Sequence, residues 1–213
     1  MDLLKEVFYK SRELEHTLIA GCHVSWYAVK GETSLSVIEK LRLNIVHEYP
    51  SKSGLKKAKK HDDYVFVKNV GNDYILVVGL VWFGPQIEKH SKLFSELQIF
   101  SICAIYNDVA CWEKRVQGKL VRRYSYEGAY GVYEDDGEMT KEEIELGFSK
   151  LWKLADYDDT WNGEDWDYYH ENAILPNGDD VINIAKAWGA DPSFEDDDAH
   201  GRGYVCKVPW KVF

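Results

Sequence analysis

The middle of the chain holds three strand-like segments in a row, and very short connections join them. Asn107-Asp108 lies between the first two, and Gln117-Gly118 lies between the last two. A parallel crossover needs about a dozen residues or more, so connections this short leave only antiparallel pairing. We therefore predict an antiparallel meander over about residues 99–127. Its strands are predicted at 99–106, 110–117 and 120–127.

The remaining patterns predict further strands and flanking helices, so the fold class is α+β with an antiparallel sheet. Residues 64–67 and 74–80 form a second hairpin signal, because Gly71 and Asn72 between them tolerate positive φ. A basic polar stretch at 51–63 is predicted to be an exposed loop, and 128–137 is predicted to be irregular. Helices are predicted at 2–19, 34–41, 87–97, 140–146 and 181–188, with outer strands at 23–29 and in the tail from 203.

Capping residues support three of these helices. Thr33 or Ser34 can cap the second helix, and Thr140 is expected to cap the fourth in a capping box with Glu143. Either Asp179 or Asp180 is expected to cap the last helix. No repeat and no low-complexity linker interrupts the chain, so we predict a single compact domain over 1–213. Gly84-Pro85 is the best candidate for an internal boundary, near 84–86.

The cysteines and the N-terminal sequence indicate a cytoplasmic protein. No two cysteines form a C-x-x-C pair, which argues against a zinc ribbon or a thioredoxin motif. The first 22 residues mix acids with bases and lack the features of a signal peptide, and no apolar run is long enough to cross a membrane. We therefore expect reduced thiols, no cofactor and no membrane association. The cysteines are Cys22, Cys103, Cys111 and Cys206.

Charge is distributed unevenly along the chain, which has a net charge of -10. Residues 124–213 carry 22 acidic against 7 basic side chains, a net of -15, and residues 1–123 carry 14 against 19, a net of +5. An acidic surface repels nucleic acid and favours a basic partner. The alternative is a solvated acidic surface that serves solubility.

Signatures of catalysis and metal binding are missing from the sequence, so we predict a protein that is not an enzyme. Nucleotide-binding, zinc-protease and nucleophile-elbow motifs do not occur, and the histidines are scattered. Cys22 and His23 are neighbours on a predicted strand, where side chains point to opposite faces. Residues 158–163 resemble the start of a calcium loop, but Tyr169 stands where the bidentate Glu is needed.

The segment 156–171 is the candidate binding surface, because it alternates large aromatic side chains with acids. Tryptophan and tyrosine are enriched at interface hot spots, and surrounding acids speed the capture of a basic partner. The alternative is that the tryptophans close the edge of the core while the acids face water. For the basic run at 52–60, a solvated loop is preferred to a nucleic-acid site. The predicted partner-binding residues are Asp158, Asp159, Trp161, Glu164, Asp165, Trp166, Asp167, Tyr168 and Tyr169.

Several motifs between about residues 95 and 195 describe a strand pair, a turn and a capped helix, and they include no catalytic residue. Their elements are 95–100, Trp112, 118–122, 124–128, Gly137-Glu138, 140–143, 146–148, 180–185 with Trp188, and Asp191-Pro192. Together they resemble a widespread group of bacterial cytosolic proteins that are found beside secreted polymorphic toxins, and the proteins of this group are treated as immunity proteins. The segment at 155–173 is particular to this chain.

The resemblance implies a non-catalytic protein that neutralises a toxin by tight binding. Many toxins act on nucleic acids and are basic, which agrees with the acidic C-terminal part of this chain. Two alternatives stay open. One is an enzyme of unrecognised type acting on a small molecule or nucleotide, which would show a deep pocket lined by polar groups with perturbed pKa values. The other is a structural subunit of a phage or secretion apparatus, which would self-assemble.

Overall fold

A computed structural model of the protein describes residues 23–80, 86–103, 109–127, 131–150, 176–192 and 201–209. Nine strands of these residues form one antiparallel sheet, and helices pack on it, which confirms the predicted α+β class. The strands are β1 (His23–Lys30), β2 (Asn44–Pro50), β3 (Tyr64–Asn69), β4 (Tyr74–Gly79), β5 (Glu96–Cys103), β6 (Val109–Val116), β7 (Lys119–Glu127), β8 (Gly131–Asp136) and β9 (Arg202–Lys207). The helices are α1 (Ser34–Lys40), α2 (Ser51–Ala58), α3 (Ile87–Ser91), α4 (Lys141–Glu145) and α5 (Gly178–Ala187), with a 3₁₀ turn at Phe148–Lys150.

The order of strands across the sheet is β2-β9-β3-β4-β1-β5-β6-β7-β8. The predicted meander is confirmed as β5, β6 and β7, and β8 extends it by one strand. β1 lies at the middle and pairs with β4 on one side and β5 on the other. Strands from both sides of residues 84–86 therefore belong to the same sheet.

Local signals account for the β3–β4 hairpin and for two helix starts. Gly71 and Asn72 both have positive φ, as the turn requires. The Thr33 side chain accepts a hydrogen bond from the backbone of α1, and Thr140 forms the expected capping box with Glu143. The start of α5 differs from the prediction, because Asn177 is its N-cap. Asp180 instead accepts a bond from the Asn177 backbone N–H, at 2.8 Å.

The predicted loop at 51–63 is wrong, because its first eight residues form the helix α2. Gly54, Leu55 and Ala58 lie on one face of this helix and are buried, whereas most of its lysines are exposed. A Cβ at Gly54 would lie only 2.2 Å from a ring carbon of Phe66, so glycine allows the helix to approach β3 closely. Such a narrow apolar face among lysines resembles a solvated loop in the sequence.

Three further elements differ from the predictions. The helix predicted over 87–97 ends at Ser91, since Glu96 already begins β5. The stretch predicted to be irregular contains β8, and β2 is a strand that the sequence patterns did not indicate. β2 pairs with β9, about 160 residues away in the chain, so the contacts that stabilise it are non-local.

The two faces of the sheet bury different cores. We call one the tryptophan face, because Trp26 and Trp112 project from it toward α5, and α2 and α4 pack on the same side. Trp26 stacks on Phe100 with ring centroids 4.9 Å apart. The opposite face, which we call the cavity face, buries Tyr27 and Val77 in one cluster with the buried residues of α1. Alternation along each strand separates these two sets of side chains.

Candidate functional sites

The predicted binding segment 156–171 lies outside the residues that the structure describes, and so do all nine predicted partner-binding residues. The residues on either side of it are described. Phe148 packs against Trp112 with ring centroids 5.6 Å apart, and α5 packs on β5 and β6. The chain therefore leaves and re-enters the described structure near the β5–β8 half of the sheet.

Charge is uneven along the sheet. The stretch 131–145, which covers β8 and α4, carries seven acidic side chains and one lysine, and we call this the acidic end. Three of these acids, Glu134, Asp135 and Glu143, pair with arginines of β7. The stretch 52–60 carries five lysines on and beside α2, which packs mainly on β9 and β3, and we call this the basic end. Seven strand spacings of about 4.8 Å separate β9 from β8, a distance of roughly 34 Å along the sheet.

Within the acidic end, Arg122 of β7 is the centre of a closed network on the tryptophan face. Arg122 is 1% exposed and Glu143 of α4 is fully buried. The Arg122 Nε–H donates to Glu143 Oε1 at 2.9 Å, and the Trp112 indole N–H donates to the same oxygen at 2.8 Å. The Thr140 backbone N–H donates to Glu143 Oε2 at 2.7 Å. Both oxygens of this buried carboxylate are thus hydrogen bonded.

The network continues on both sides of this pair. A terminal nitrogen of Arg122 donates to Asp135 of β8 and to the backbone carbonyl oxygens of Asp136 and Gly137. Burial by itself lowers the pKa of Arg122, but Asp135 and Glu143 outweigh burial and raise it. The Nε–H and one terminal nitrogen of Arg122 and both oxygens of Glu143 are used in contacts that join β7, β8 and α4, so the role of the network is structural.

A cavity of about 360 Å³ opens on the cavity face of the same strands. Its floor is a row of small polar side chains that lie directly opposite one another on adjacent strands: Ser25, Ser101, Cys111 and Ser125. The hydroxyls of Ser25 and Ser101 are 2.7 Å apart, and Cys111 Sγ lies 3.0 Å from Ser125 Oγ. The row crosses four strands, a length of about 14 Å.

Charged side chains line one side of this cavity. Glu113 accepts from the Nε–H groups of both Arg115 and Arg123, using one carboxylate oxygen for each. Arg123 also donates to Glu134 at the end of the floor row, and Asp136 lies 3.7 Å from it. Burial by itself lowers the pKa of Arg123, whereas Glu113 and Glu134 raise it above its usual value.

Two groups on the cavity face have strongly shifted pKa values. Burial raises the pKa of the Cys111 thiol to about 11, and the hydrogen bond with Ser125 opposes this only in part. Burial also lowers the pKa of His90 to about 4, with a smaller contribution from Lys89. The His90 Nδ1 lies 3.2 Å from the Tyr27 hydroxyl. Near neutral pH the thiol is protonated and the imidazole is neutral, so neither carries charge.

The other sequence expectations concern metals, catalysis and membranes. Within the described ranges, no group of three or more His, Cys, Asp or Glu side chains is arranged to hold a metal ion. Cys22 and residues 158–163 fall outside those ranges, so the adjacent Cys22-His23 pair and the calcium-like loop stay untested. In the part of the chain that the structure describes, no helix is long and apolar enough to span a bilayer.

The residues that line the cavity were not among the predicted site residues. One signal for them existed in β6, where Cys111, Glu113 and Arg115 alternate with four residues of which only Lys114 is charged. This alternation indicates one polar face of a strand. It does not show that serines of three other strands align with Cys111, because that alignment depends on the register of pairing.

No protein-family model, curated protein or solved structure matches the chain. The assignment of function therefore depends on the geometry and charge described above.

Proposed function

We propose that the protein is an immunity-type inhibitor that binds and neutralises a basic toxin domain without catalysis. The observation that carries the proposal is the separation of charge between the two ends of the sheet. A surface with acids gathered at one end attracts a basic partner, orients it and speeds its association. The lysines of α2 lie toward the other end of the sheet from these acids, well beyond a Debye length of about 8 Å, so they repel such a partner only weakly.

The described residues that flank the candidate segment 156–171 in the sequence support this proposal. The described residues before and after it lie near the acidic end, which also bears exposed acids such as Glu138 and Glu145. Aromatic side chains such as Trp161 and Trp166 would supply the buried anchors of an interface, and the acids around them its polar rim. Together these features describe a surface that covers a cationic active site by charge and shape.

The test compares two charge-reversal variants with four substitutions each. In the acidic variant, Asp158, Asp159, Asp165 and Asp167 are each changed to Lys. In the basic control, four exposed lysines of the opposite end are each changed to Glu. They are Lys52, Lys56, Lys57 and Lys60.

The binding partner is the toxin whose gene is expected beside the gene of this chain. Two quantities are measured: the affinity of the toxin for the chain, and the survival of cells that express the toxin together with the chain. We expect the acidic variant to lose affinity by at least about tenfold, to lose most of its salt dependence and to fail to protect. The basic control should bind and protect normally. Unchanged affinity in the acidic variant would remove the interface assignment, and a folded wild-type chain that fails to protect would remove the function.

The cavity is the observation that favours the enzyme alternative. A nucleophilic role for Cys111 conflicts with its raised pKa, because a thiol with a pKa of about 11 is protonated near neutral pH. Its side-chain partner is the Ser125 hydroxyl, which is not a base. The geometry of the cavity therefore supports binding better than it supports covalent catalysis.

A further inference from the structure

The cavity has an identifiable structural cause. On the row adjacent to its floor, the paired residues are large: Tyr27, Ile99, Glu113 and Arg123 lie opposite one another on the same four strands. On the floor row the side chains are serine or cysteine, and Ile87 and Glu88 of α3 stand at its side. Four small residues in register, beside a row of large ones, leave a trough that no side chain of the described residues fills.

A trough of this kind is unusual for a surface that serves only the fold. Glu113 and Arg115 are each 6% exposed although they face the cavity. Burying an ion pair has a desolvation cost, and well-packed apolar side chains at the same positions are often at least as stabilising as the ion pair. Buried charged groups that converge with hydroxyls on a pocket are instead typical of ligand sites.

The hydrogen-bonding capacity of the lining shows what chemistry is left for a ligand. Arg115 has five N–H donors. Its Nε–H binds Glu113, and one terminal nitrogen reaches the Gly118 carbonyl oxygen at 3.5 Å. Arg123 directs its Nε–H to Glu113 and one terminal nitrogen to Glu134. The second terminal nitrogen of each guanidinium has no acceptor among the described residues, whereas both oxygens of Glu113 are in use.

Charge on the wall is balanced, whereas the rim is acidic. Arg115 and Arg123 share the carboxylate of Glu113, and Glu134 is a second partner of Arg123, so two carboxylates match the two guanidinium groups. Glu134 and Glu88 stand at the rim, where the Glu134 side chain is 44% exposed and Glu88 is exposed. The unused terminal N–H donors therefore favour a hydrogen-bond acceptor such as an oxyanion inside the cavity, and the rim favours a hydroxyl or an amine.

We propose that this cavity binds a small organic molecule through an oxyanion, a carboxylate or a phosphate, which accepts hydrogen bonds from Arg115 and Arg123. The serine hydroxyls of the floor contact the polar body of the molecule, and Glu134 accepts from a hydroxyl or amine at its outer end. Charge-assisted bonds from guanidinium to an oxyanion are among the stronger hydrogen bonds in proteins. A volume of about 360 Å³ suits a ligand of metabolite size. This site is separate from the acidic surface, and the proposal goes beyond the proposed function.

The test is a titration of the full chain with inorganic phosphate and, separately, with acetate. Binding is detected through the NMR signals of the arginine Nε–H groups. Three variants accompany the wild type. Ser125→Val fills the trough and leaves every charge in place, and Ser53→Val is its control at an exposed position. Arg115→Met removes one guanidinium, and Arg202→Met is its control because Arg202 is exposed on β9.

We expect a saturable response to at least one of the two probes. The response should weaken at least about tenfold in Ser125→Val and in Arg115→Met, because each loses space or donors worth roughly 1.4 kcal/mol or more. Both control variants should bind as the wild type does. A response to phosphate alone would identify a phosphorylated ligand. A response to acetate would identify a ligand that carries a carboxylate.

Two results would overturn the proposal. One is the absence of saturable binding by either probe to the folded wild type. The other is binding that is unchanged in Ser125→Val, a variant that keeps the charge network and so stays informative even if Arg115→Met does not fold. Neither result bears on the toxin-binding surface, which is tested by different substitutions.

Discussion

Arg122 and Arg123 are consecutive on β7, and they point to opposite faces of the sheet. Arg122 is buried on the tryptophan face, where Glu143 and Asp135 hold it. Arg123 lies on the cavity face, where it joins Glu113 to Glu134 beside open space. Two identical side chains at adjacent positions thus belong to a sealed network and to the wall of a cavity.

The difference shows how a fold separates structure from binding by the alternation of a strand. On the tryptophan face, α4 and β8 close around the arginine, whose side chain is 2% exposed, and Glu143 and Asp135 match its charge from within the chain. Such closure can offset the cost of burying an ion pair, because both oxygens of the buried Glu143 carboxylate are hydrogen bonded. On the cavity face the described residues do not enclose the arginine in this way, since the Arg123 side chain is 23% exposed and borders the cavity.

Removing Arg122 should have the largest effect on stability. In Arg122→Met the carboxylate of Glu143 stays buried without its ion-pair partner, and breaking a buried pair in this way costs about 3–5 kcal/mol. The measurement is urea unfolding followed by circular dichroism. Lys141→Met is the control, because the Lys141–Glu145 pair is exposed and exposed pairs contribute less than about 1 kcal/mol. A loss below about 1 kcal/mol for Arg122→Met would mean that the network is not the structural element we describe.

A second difference between the faces should appear in the pH dependence of stability, because His90 is buried on the cavity face. The pKa of His90 is about 4 in the folded protein, compared with 6.5 for a free histidine. The unfolded chain therefore takes up a proton between pH 6.5 and 4 while the folded chain does not. Stability should fall as the pH drops through this window, by up to about 3 kcal/mol, and should not depend on His90 above it.

Unfolding measurements at pH 7 and pH 4.5 check this expectation. In His90→Gln the group no longer titrates, so the difference in stability between the two pH values should be smaller than in the wild type. Carboxylates that titrate in the same range contribute equally to both proteins and cancel in this comparison. Equal pH dependence in the two proteins would contradict the assigned burial of the imidazole.

Removing Arg123 should have the smallest effect of the three. Glu113 keeps Arg115 in the variant Arg123→Met, and the other partners of Arg123 are solvated, since the side chains of Glu134 and Asp136 are 44% and 55% exposed. We expect a loss of about 1 kcal/mol or less in urea unfolding, decreasing further at high salt. A loss as large as that of Arg122→Met would remove the contrast between the faces.

Much of the fold followed from local patterns. The meander was predictable because its turns are too short for any other connection, and the capping box at Thr140 and Glu143 was predictable because both residues act within one turn. Three residues of the sequence motifs between about residues 95 and 195, Trp112, Arg122 and Trp188, lie close together in the structure, where Trp112 and Arg122 share Glu143 as an acceptor. Trp188 joins the same region through the Thr140 hydroxyl, at 3.2 Å.

The errors share one physical cause, which is dependence on distant partners. β2 is a strand because β9 pairs with it, and α2 is a helix whose narrow apolar face covers Phe66. β8 contains acids that local propensity disfavours in strands, yet Arg122 and Arg123 of β7 pair with them on both faces. Contacts of this kind cannot be read from a window of neighbouring residues.

Composition and local order by themselves determined the α+β class, the antiparallel meander and the imbalance of charge between the two parts of the chain. These depend on turn length, residue periodicity and simple counts, which are properties of the chain before it folds. Tertiary structure alone decided that the imbalance becomes two opposite ends of one sheet. It also decided that serines from three strands meet beside Cys111, because the register of pairing places residues side by side that lie up to 100 positions apart.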